Sequence, residues 1–549
     1  MTLIYNRWFA PFTKKNINFR NIEKGYECLR EDGIIQVVHD LKLKIMLKEK
    51  SQINSMTDTK ISKFLTLKDL ALYDSQTISL YLFEGPSLVR ALSIAKLSNK
   101  PLFFPLKKEW KIEFIKSGIQ VNKMICGLMW YLLLSMKLYK NTIICCRLLL
   151  NSNKSEKVSF FPTEIKKRRA VYFPGAQKNH LINQSTKIKQ RNFANWLSDL
   201  EFPKDNLHIY HDLQNAQIPS SEYMKITSSV FESYLQNGPG LNSFNQRVSR
   251  FLFLIIKAPK LKSKLFILLR NMGQVYIALK HEKIISSVNL DLIIFDCSNF
   301  IIKPLWAVVA EKKGNKVVFC FYSISAEPQF HDGTQVRDGL WILSNWNEFW
   351  VNDLTQISML SSLISNKNVF FKVIGIPDWV DSGIEFNRPK KPFILLFDNE
   401  PHENSISLAT TYLFEFYTKD SIFNFFETVL LAAEKLDFLV VHKTKRAIGD
   451  KRTEGYTEIL SRLENRYPNN YVRIDDSIAP IRIIMESCAV ISSPISTTAV
   501  IAKNCGVPSV YLDLKNKLSS SDPALRGVKS IRSLLELTNW LSELKLYDE

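Results

Sequence analysis

A run of hydroxyls sits where a strand should give way to a helix. The sequence ISSPISTT, residues 491–498, puts Ser492, Ser493, Ser496 and Thr497 in one loop. A β-rich run precedes it at 488–491. A small-residue helix is predicted over 497–505, stopped by Gly506 and Pro508, with a buried strand at 509–512. Such a loop offers free backbone N–H groups and the positive end of a helix dipole to whatever lies beyond the strand. It therefore suits anions, and the phosphate of an activated sugar is the most economical ligand. Ser496 also fits a plain helix cap. Upstream, the apolar run 438–441 ends in His442, Lys443, Lys445 and Arg446. These form a phosphate or carboxylate clamp on the same sheet edge, or a solvated basic loop. Glu486, in the helix expected before the hydroxyl loop, could take a ribose hydroxyl. Asp475 and Asp476 end another strand, face opposite ways, and fit a helix cap.

A second polar concentration follows an apolar run at 316–321. SISAEPQFHDGTQVRDG, residues 323–339, carries Glu327, His331, Asp332 and Arg337 within a dozen positions. Imidazole titrates near working pH, so His331 suits deprotonation of a hydroxyl, with Glu327 or Asp332 orienting it or acting directly. The bland alternative is a surface loop with satisfied charges. Asp296, ending the strand expected at 291–295, is a further carboxylate at that edge. Gln177 and His180 follow another strand end and, with Arg337, would face an acceptor. Trp341, Trp346 and Trp350 could form a sugar-stacking face or simply core.

These residues need sheets to position them. Strands are expected at 170–173, 207–210, 290–295, 316–321 and 340–350, with helices at 193–200, 221–236, 244–271 and 304–311. After RPKKP, residues 388–392, strands recur at 393–397, 438–442, 471–474, 488–491 and 509–512, with helices at 422–435 and 456–467. Alternation of this kind implies mostly parallel sheets covered on both faces. The expected fold is α/β: two Rossmann-like domains facing a central cleft, preceded by an additional N-terminal α/β region with a strand at 78–83, and by a basic apolar helical segment. The boundaries are 1–165 for that region, 166–387 for the acceptor domain, 388–392 for the linker, 393–529 for the donor domain and 530–549 for a terminal helix packing back toward the N-terminal domain.

The chain has 549 residues and a net charge of +20, with 18 basic and 21 acidic residues from 393 onward, so the positive excess lies in the first part. That asymmetry calls for an acidic partner. Residues 124–134, MICGLMWYLLL, are too short to span a bilayer but suit a helix lying on an anionic inner-membrane surface, or a buried core helix; residues 250–270 have the same character. No base-stacking or groove-reading pattern accompanies the charge, so nucleic acid is not an expected partner. Eight cysteines without a CxxC pair argue against a zinc site or a disulfide framework and for a reducing cytoplasm, with peripheral attachment to the inner membrane.

The C-terminal half resembles the nucleotide-binding domain of bacterial surface-polysaccharide glycosyltransferases of the two-Rossmann (GT-B) fold. The pieces that carry it are FILLFDNEP, SIFNFFETVLLAAEKL, LVVHKTKR and IAPIRIIMESCAVISSPISTTAVIAKNCGVPSVYLD, joined in the N-terminal half by VYFPGAQKNH and NFANWLSDL. The likeness is close over residues 393–549, loose in the middle and absent over 1–150. Members that use CMP-activated acidic sugars, the sialyltransferases and Kdo transferases, hold CMP with a His-Pro motif and a later Ser-Ser motif. His442 and Ser492-Ser493 stand in similar positions, with Lys443 where that motif has proline. The resemblance implies transfer of a sugar from a nucleotide-activated donor, a CMP-linked acidic sugar first, to a lipid-linked or growing cell-surface polysaccharide such as lipopolysaccharide or capsule. It implies no metal and no cofactor beyond the nucleotide-sugar co-substrate. Transfer of a polyol phosphate from a CDP donor, and a non-catalytic partner in glycan assembly, are the alternatives.

Overall fold

The computed structural model describes residues 19–83, 87–150, 169–173, 196–197, 200, 207–211, 224–228, 265–284, 290–296, 301–324, 330–331, 334–335, 339–364, 366, 368–376, 386–398, 401, 414–444, 456–474, 476 and 478–548. Its first region is helical: α1 (Phe19–Glu31), α2 (Ile34–Asn54), α3 (Leu67–Phe83), α4 (Ser87–Leu97), α5 (Lys108–Lys116) and α6 (Lys123–Leu150). The strand expected at 78–83 is the last part of α3. The local β-branched and aromatic residues lost to a helix start further back. Thr66 and Asp69 cap it reciprocally, the Thr66 amide donating to Asp69 Oδ2 at 2.8 Å and the Asp69 amide to Thr66 Oγ1 at 3.3 Å. Leu67, Leu70, Ala71, Ile78 and Leu82 then fall on buried positions. At the crossing of α1 and α4, a Cβ on Gly25 would stand 2.5 Å from the Ser93 carbonyl, so only glycine permits that approach.

Two parallel sheets follow. The first contains β1 (Arg169–Phe173), β2 (Leu207–His211), β3 (Met224–Ser228), β4 (Leu292–Asp296), β5 (Lys316–Cys320), β8 (Glu348–Val351) and β9 (Phe370–Val373), in the order β3-β2-β1-β4-β5-β8-β9; β6 (Phe330–His331) and β7 (Thr334–Gln335) form a separate antiparallel pair. The second contains β10 (Phe393–Phe397), β11 (Leu439–Lys443), β12 (Tyr471–Ile474), β13 (Ala489–Ser492), β14 (Ser509–Leu512) and β15 (Lys529–Ile531), in the order β12-β11-β10-β13-β14-β15. Both orders step outward from the first strand and then reverse, so each sheet is doubly wound, with a switch point at β1/β4 and at β10/β13. Burial on both faces explains the apolar runs FILLF and AVI within β10 and β13, every residue of which is buried.

Three sequence expectations change here. Residues 224–228, expected within a helix, are edge strand β3. The expected strand 340–350 divides into a short helix (Gly339–Ile342) and β8. Trp346 and Trp350 are fully buried and Trp341 nearly so. Trp341 and Trp346 pack among Phe295, Phe319 and Phe349, and Trp350, next along the strand from Phe349, packs edge-on against Trp196, so they are core and not a sugar-stacking face. Within 244–271, α7 (Leu265–Arg270) is helical and is followed by α8 (Met272–Ile284).

The lobes touch across the carboxyl ends of their strands. Ile324, just past β5, lies in the core of the C-terminal lobe. Asp353, just past β8, pairs with Arg526, which follows the turn Pro523–Leu525 between β14 and β15 and sits at φ 52°. The terminal helix (Leu534–Asp548) was expected to reach back to the N-terminal domain. Its apolar stripe Leu537, Trp540 and Leu541 is instead spent in the C-terminal lobe, against the helix Lys419–Lys435.

Candidate functional site

In a doubly wound sheet, ligands bind beyond the strand ends at the switch point. For the second sheet that point lies between Asp398, after β10, and the loop from Ser492 after β13. The two walls are tied by register, Phe397 opposite Ser492, and by the Ser493 amide, which donates to the Phe397 carbonyl at 3.1 Å. Ser492 and Ser493 are therefore buried framework, the Ser492 hydroxyl meeting Thr498 Oγ1 at 3.3 Å. Ser496 caps the following helix (Thr497–Asn504), its Oγ accepting from the Ala499 amide at 3.5 Å and meeting Thr498 Oγ1 at 3.0 Å. The Thr497 and Thr498 amides, first and second in that helix, donate to no acceptor among the described residues and lie at its positive end.

The loop is held rigidly. Tyr417 Oη donates to the Pro494 carbonyl at 3.1 Å and Tyr511 Oη to the Ser496 carbonyl at 3.0 Å. Burial pushes the Tyr511 phenol far above its ordinary value, so it stays a donor. Between those two carbonyls Ile495 adopts φ 57° while 1% exposed. A β-branched residue in the left-handed region costs roughly 1–2 kcal/mol. The two tyrosines and the packing of Ile495 offset that cost and fix the direction of the helix N-terminus.

His442, expected at the donor, lies within β11 with no exposed surface, and both of its nitrogens have protein partners. Nε2 meets Asp398 Oδ1 at 3.1 Å and Nδ1 meets Tyr471 Oη at 2.7 Å; the other Asp398 oxygen accepts from Tyr456 Oη. Burial, and then Asp398, push the Tyr471 phenol far upward. It stays protonated and shares a hydrogen bond with Nδ1, while Nε2 shares one with Asp398. Phe426 closes the pocket edge-on at 4.8 Å. Lys443 is likewise turned inward, donating to the Asp476 carbonyl at 2.7 Å. Glu486 is exposed and stands 3.7 Å from Arg388 of the linker, away from this network.

In the N-terminal lobe, Asp296 ends β4 beside Cys320 of β5, at the first sheet's switch point, and His331 lies in the β6–β7 pair. Glu327, Asp332, Arg337, Gln177, His180, Lys445 and Arg446 fall outside the described residues. Sequence reasoning missed Asp398, Tyr417, Tyr456, Tyr471 and Asn352. Asn352, directly after β8, is buried with neither side-chain amide atom partnered among the described residues. The position of Asp398 directly after FILLF was the one signal available.

Two doubly wound sheets meeting at their carboxyl ends define a protein of two Rossmann-like lobes, the GT-B arrangement. The chain belongs to the polysaccharide biosynthesis PFTS motif family, whose profile matches residues 254–541. No curated protein matches it. Among solved structures it is similar to UDP-GlcNAc 2-epimerase from Methanocaldococcus jannaschii, at 8% identity and TM-score 0.35, covering 68% of this chain and 92% of that one. A ugt transferase from Siraitia grosvenorii in complex with UDP gives 12% and 0.36 over 69% and 90%. The lipopolysaccharide outer core galactosyltransferase WaaB gives 10% and 0.33 over 69% and 91%. At these scores the likeness carries no argument about function.

Proposed function

We propose that this protein is a glycosyltransferase that moves a sugar from a nucleotide-activated donor to a lipid-linked or growing cell-surface polysaccharide. The observation that carries the reading is the rigid hydroxyl loop at the second sheet's switch point, opening onto the Thr497 and Thr498 amides, which are unpaired among the described residues, in a chain of a polysaccharide-biosynthesis family. A donor phosphate seated there meets two N–H groups, the helix dipole and the Ser496 and Thr498 hydroxyls. As the glycosidic bond breaks, charge grows on that phosphate, and donors already fixed in place stabilise it without reorganising. Lys445 and Arg446 add cationic neutralisation. His442 serves from behind, holding Asp398 and the end of β10 through its hydrogen bonds.

The N-terminal lobe supplies the acceptor and its base. Asp296, Glu327, His331 and Asp332 are the candidates to take the acceptor hydroxyl's proton, with Gln177, His180 and Arg337 binding acceptor. Asn352 offers an amide at the same strand edge. Closure about residues 388–392 would bring the two together. A CMP-linked acidic sugar is the first donor to try, on the sequence likeness to CMP-sugar enzymes and not on contacts from His442, Ser492 or Ser493, which are buried framework, with transfer on the inner face of the membrane.

A thermal-shift panel of CMP, CDP, UDP and GDP tests this. The right nucleotide at 100 times its Kd should add about 2.7 kcal/mol of stability. If none of the four moves the midpoint, the donor site is not where this reading puts it.

A further inference from the structure

The outward face of α6 is apolar for most of its length. Met124, Leu128, Tyr131, Leu132 and Tyr139 are between 48 and 78% exposed. At 100° per residue they fall within one third of the helix circumference, and Met124 to Tyr139 spans roughly 22 Å. The opposite face is fully used: Cys126, Leu133, Lys137 and Asn141 are buried, and Trp130 packs edge-on against Trp110 at 5.2 Å. Lys137 donates to Asp74 at 2.7 Å and to Thr77 at 2.8 Å. That anchorage fixes which face looks outward. It also keeps a charged group on the inner face, and no described helix is long and apolar enough to cross a membrane.

The charge on α6 itself has one sign. Residues 123–150 contain no aspartate or glutamate. Lys123 and, on the neighbouring helix α5, Lys108 and Lys116 are exposed, beside exposed Ile112 and Ile115. Apolar side chains edged by ammonium groups, with tyrosines along the stripe, match the boundary between acyl chains and anionic headgroups. We propose that the outward face of α6 docks the protein on an anionic lipid bilayer, the helix lying in the plane of the surface. The inference deepens the transfer reading, because a lipid-linked acceptor resides in that surface, but the docking itself needs no turnover.

Vesicle flotation of the full chain tests it, with phosphatidylcholine alone and with phosphatidylglycerol added. The wild type is expected to float with the anionic vesicles and to be weakened by salt. Leu128→Glu with Leu132→Glu is expected to lower binding about tenfold or more while the melting midpoint and the nucleotide-induced shift stay unchanged. Should that pair fail to fold, Tyr131→Ser with Tyr139→Ser, both at exposed positions, gives the same readout. Wild-type protein that ignores anionic vesicles, or variants that float as well as it does, would overturn the proposal. So would light scattering that shows a wild-type dimer turned monomer by the substitutions, which would assign the face to a second copy. Loss of the nucleotide shift with flotation intact would sink the transfer reading alone.

Discussion

Two buried carboxylates hold this molecule together by different means. Asp74 stands among cations and an amide drawn from other helices: Lys137 at 2.7 Å, Arg270 at 2.6 Å and Asn271 at 2.7 Å. Asp398 stands among hydrogen-bonding rings, the His442 imidazole and the Tyr456 phenol. Burial alone would raise the Asp74 carboxyl, but Lys137 and Arg270 outweigh it and hold it below the ordinary carboxylate range. The first arrangement welds α3, α6 and α7 where the helical region joins the first lobe. The second lies behind a candidate binding crevice, where a chain of hydrogen-bonding rings holds the carboxylate in place. Charge pairing suits a joint, and ring hydrogen bonds suit a wall that must meet a ligand.

The strongest way to break this contrast is at the joint. Asp74→Ala leaves Lys137 and Arg270 buried without their counter-charge and should cost about 3–5 kcal/mol, read as a lower urea midpoint. The pH dependence has a defined sign. A carboxyl whose pKa is lowered by folding contributes its full share above the ordinary carboxylate range and loses it as the pH falls through the lowered value. Asp74→Asn should therefore flatten part of the acid limb of stability. An unchanged midpoint for Asp74→Ala would mean that the joint is held by packing alone.

At the wall the expected loss is smaller. His442→Ala strips Asp398 and Tyr471 of a shared partner and opens a small cavity, at roughly 2–4 kcal/mol. Tyr471→Phe should cost about 1 kcal/mol. Both should lower the melting midpoint while the nucleotide still produces a shift. A donor-contacting histidine would behave in the opposite way, losing the nucleotide shift with the midpoint kept.

The alternation of apolar runs with helices made most strands of both sheets legible, though not the edge strands β3, β9 and β15, because strands buried on two faces are almost continuously apolar, as FILLF and the AVI of β13 are. The hydroxyl loop was legible for the same reason: AVIS ends at Ser492 and the helix begins at Thr497. What was not legible was orientation across distance. Nothing local to HKTKR says that His442 and Lys443 turn inward, since their partners Tyr471, Asp398 and Asp476 come from other segments. Residues 78–83 misled for the converse reason. Six residues look like a strand, and only the cap at Thr66 and Asp69 reveals the helix that contains them.

Lys50 sharpens the comparison from the side of the cation. It resembles Lys137 in being largely buried, but its ammonium donates to the Ser344 carbonyl at 3.3 Å and meets no carboxylate among the described residues. Burial, and then Lys68, lower its pKa to about 8. A lysine whose pKa falls on folding is penalised while charged, and stability should rise as the pH passes from about 8 toward the unfolded value. The gain should be on the order of 1 kcal/mol between pH 8 and 9, and Lys50→Met should remove it. A wild-type stability that is flat across that window would show the ammonium to be better solvated than its burial indicates.

The smallest effect on stability is expected at Ser496, and there the two roles of the wall separate. Its hydroxyl caps the helix through a long 3.5 Å contact, so Ser496→Ala should cost only about 0.5–1 kcal/mol. The helix should persist, because the Tyr417 and Tyr511 phenols fix the loop through carbonyls that the substitution leaves in place. A hydrogen bond from a hydroxyl to a charged phosphate is worth about 1.5–3 kcal/mol, so nucleotide affinity should fall by about tenfold or more. Calorimetric titration beside a melting curve reads both quantities on one sample. Affinity that falls no further than stability would reduce Ser496 to a cap, and the phosphate would then be held by the Thr497 and Thr498 amides alone.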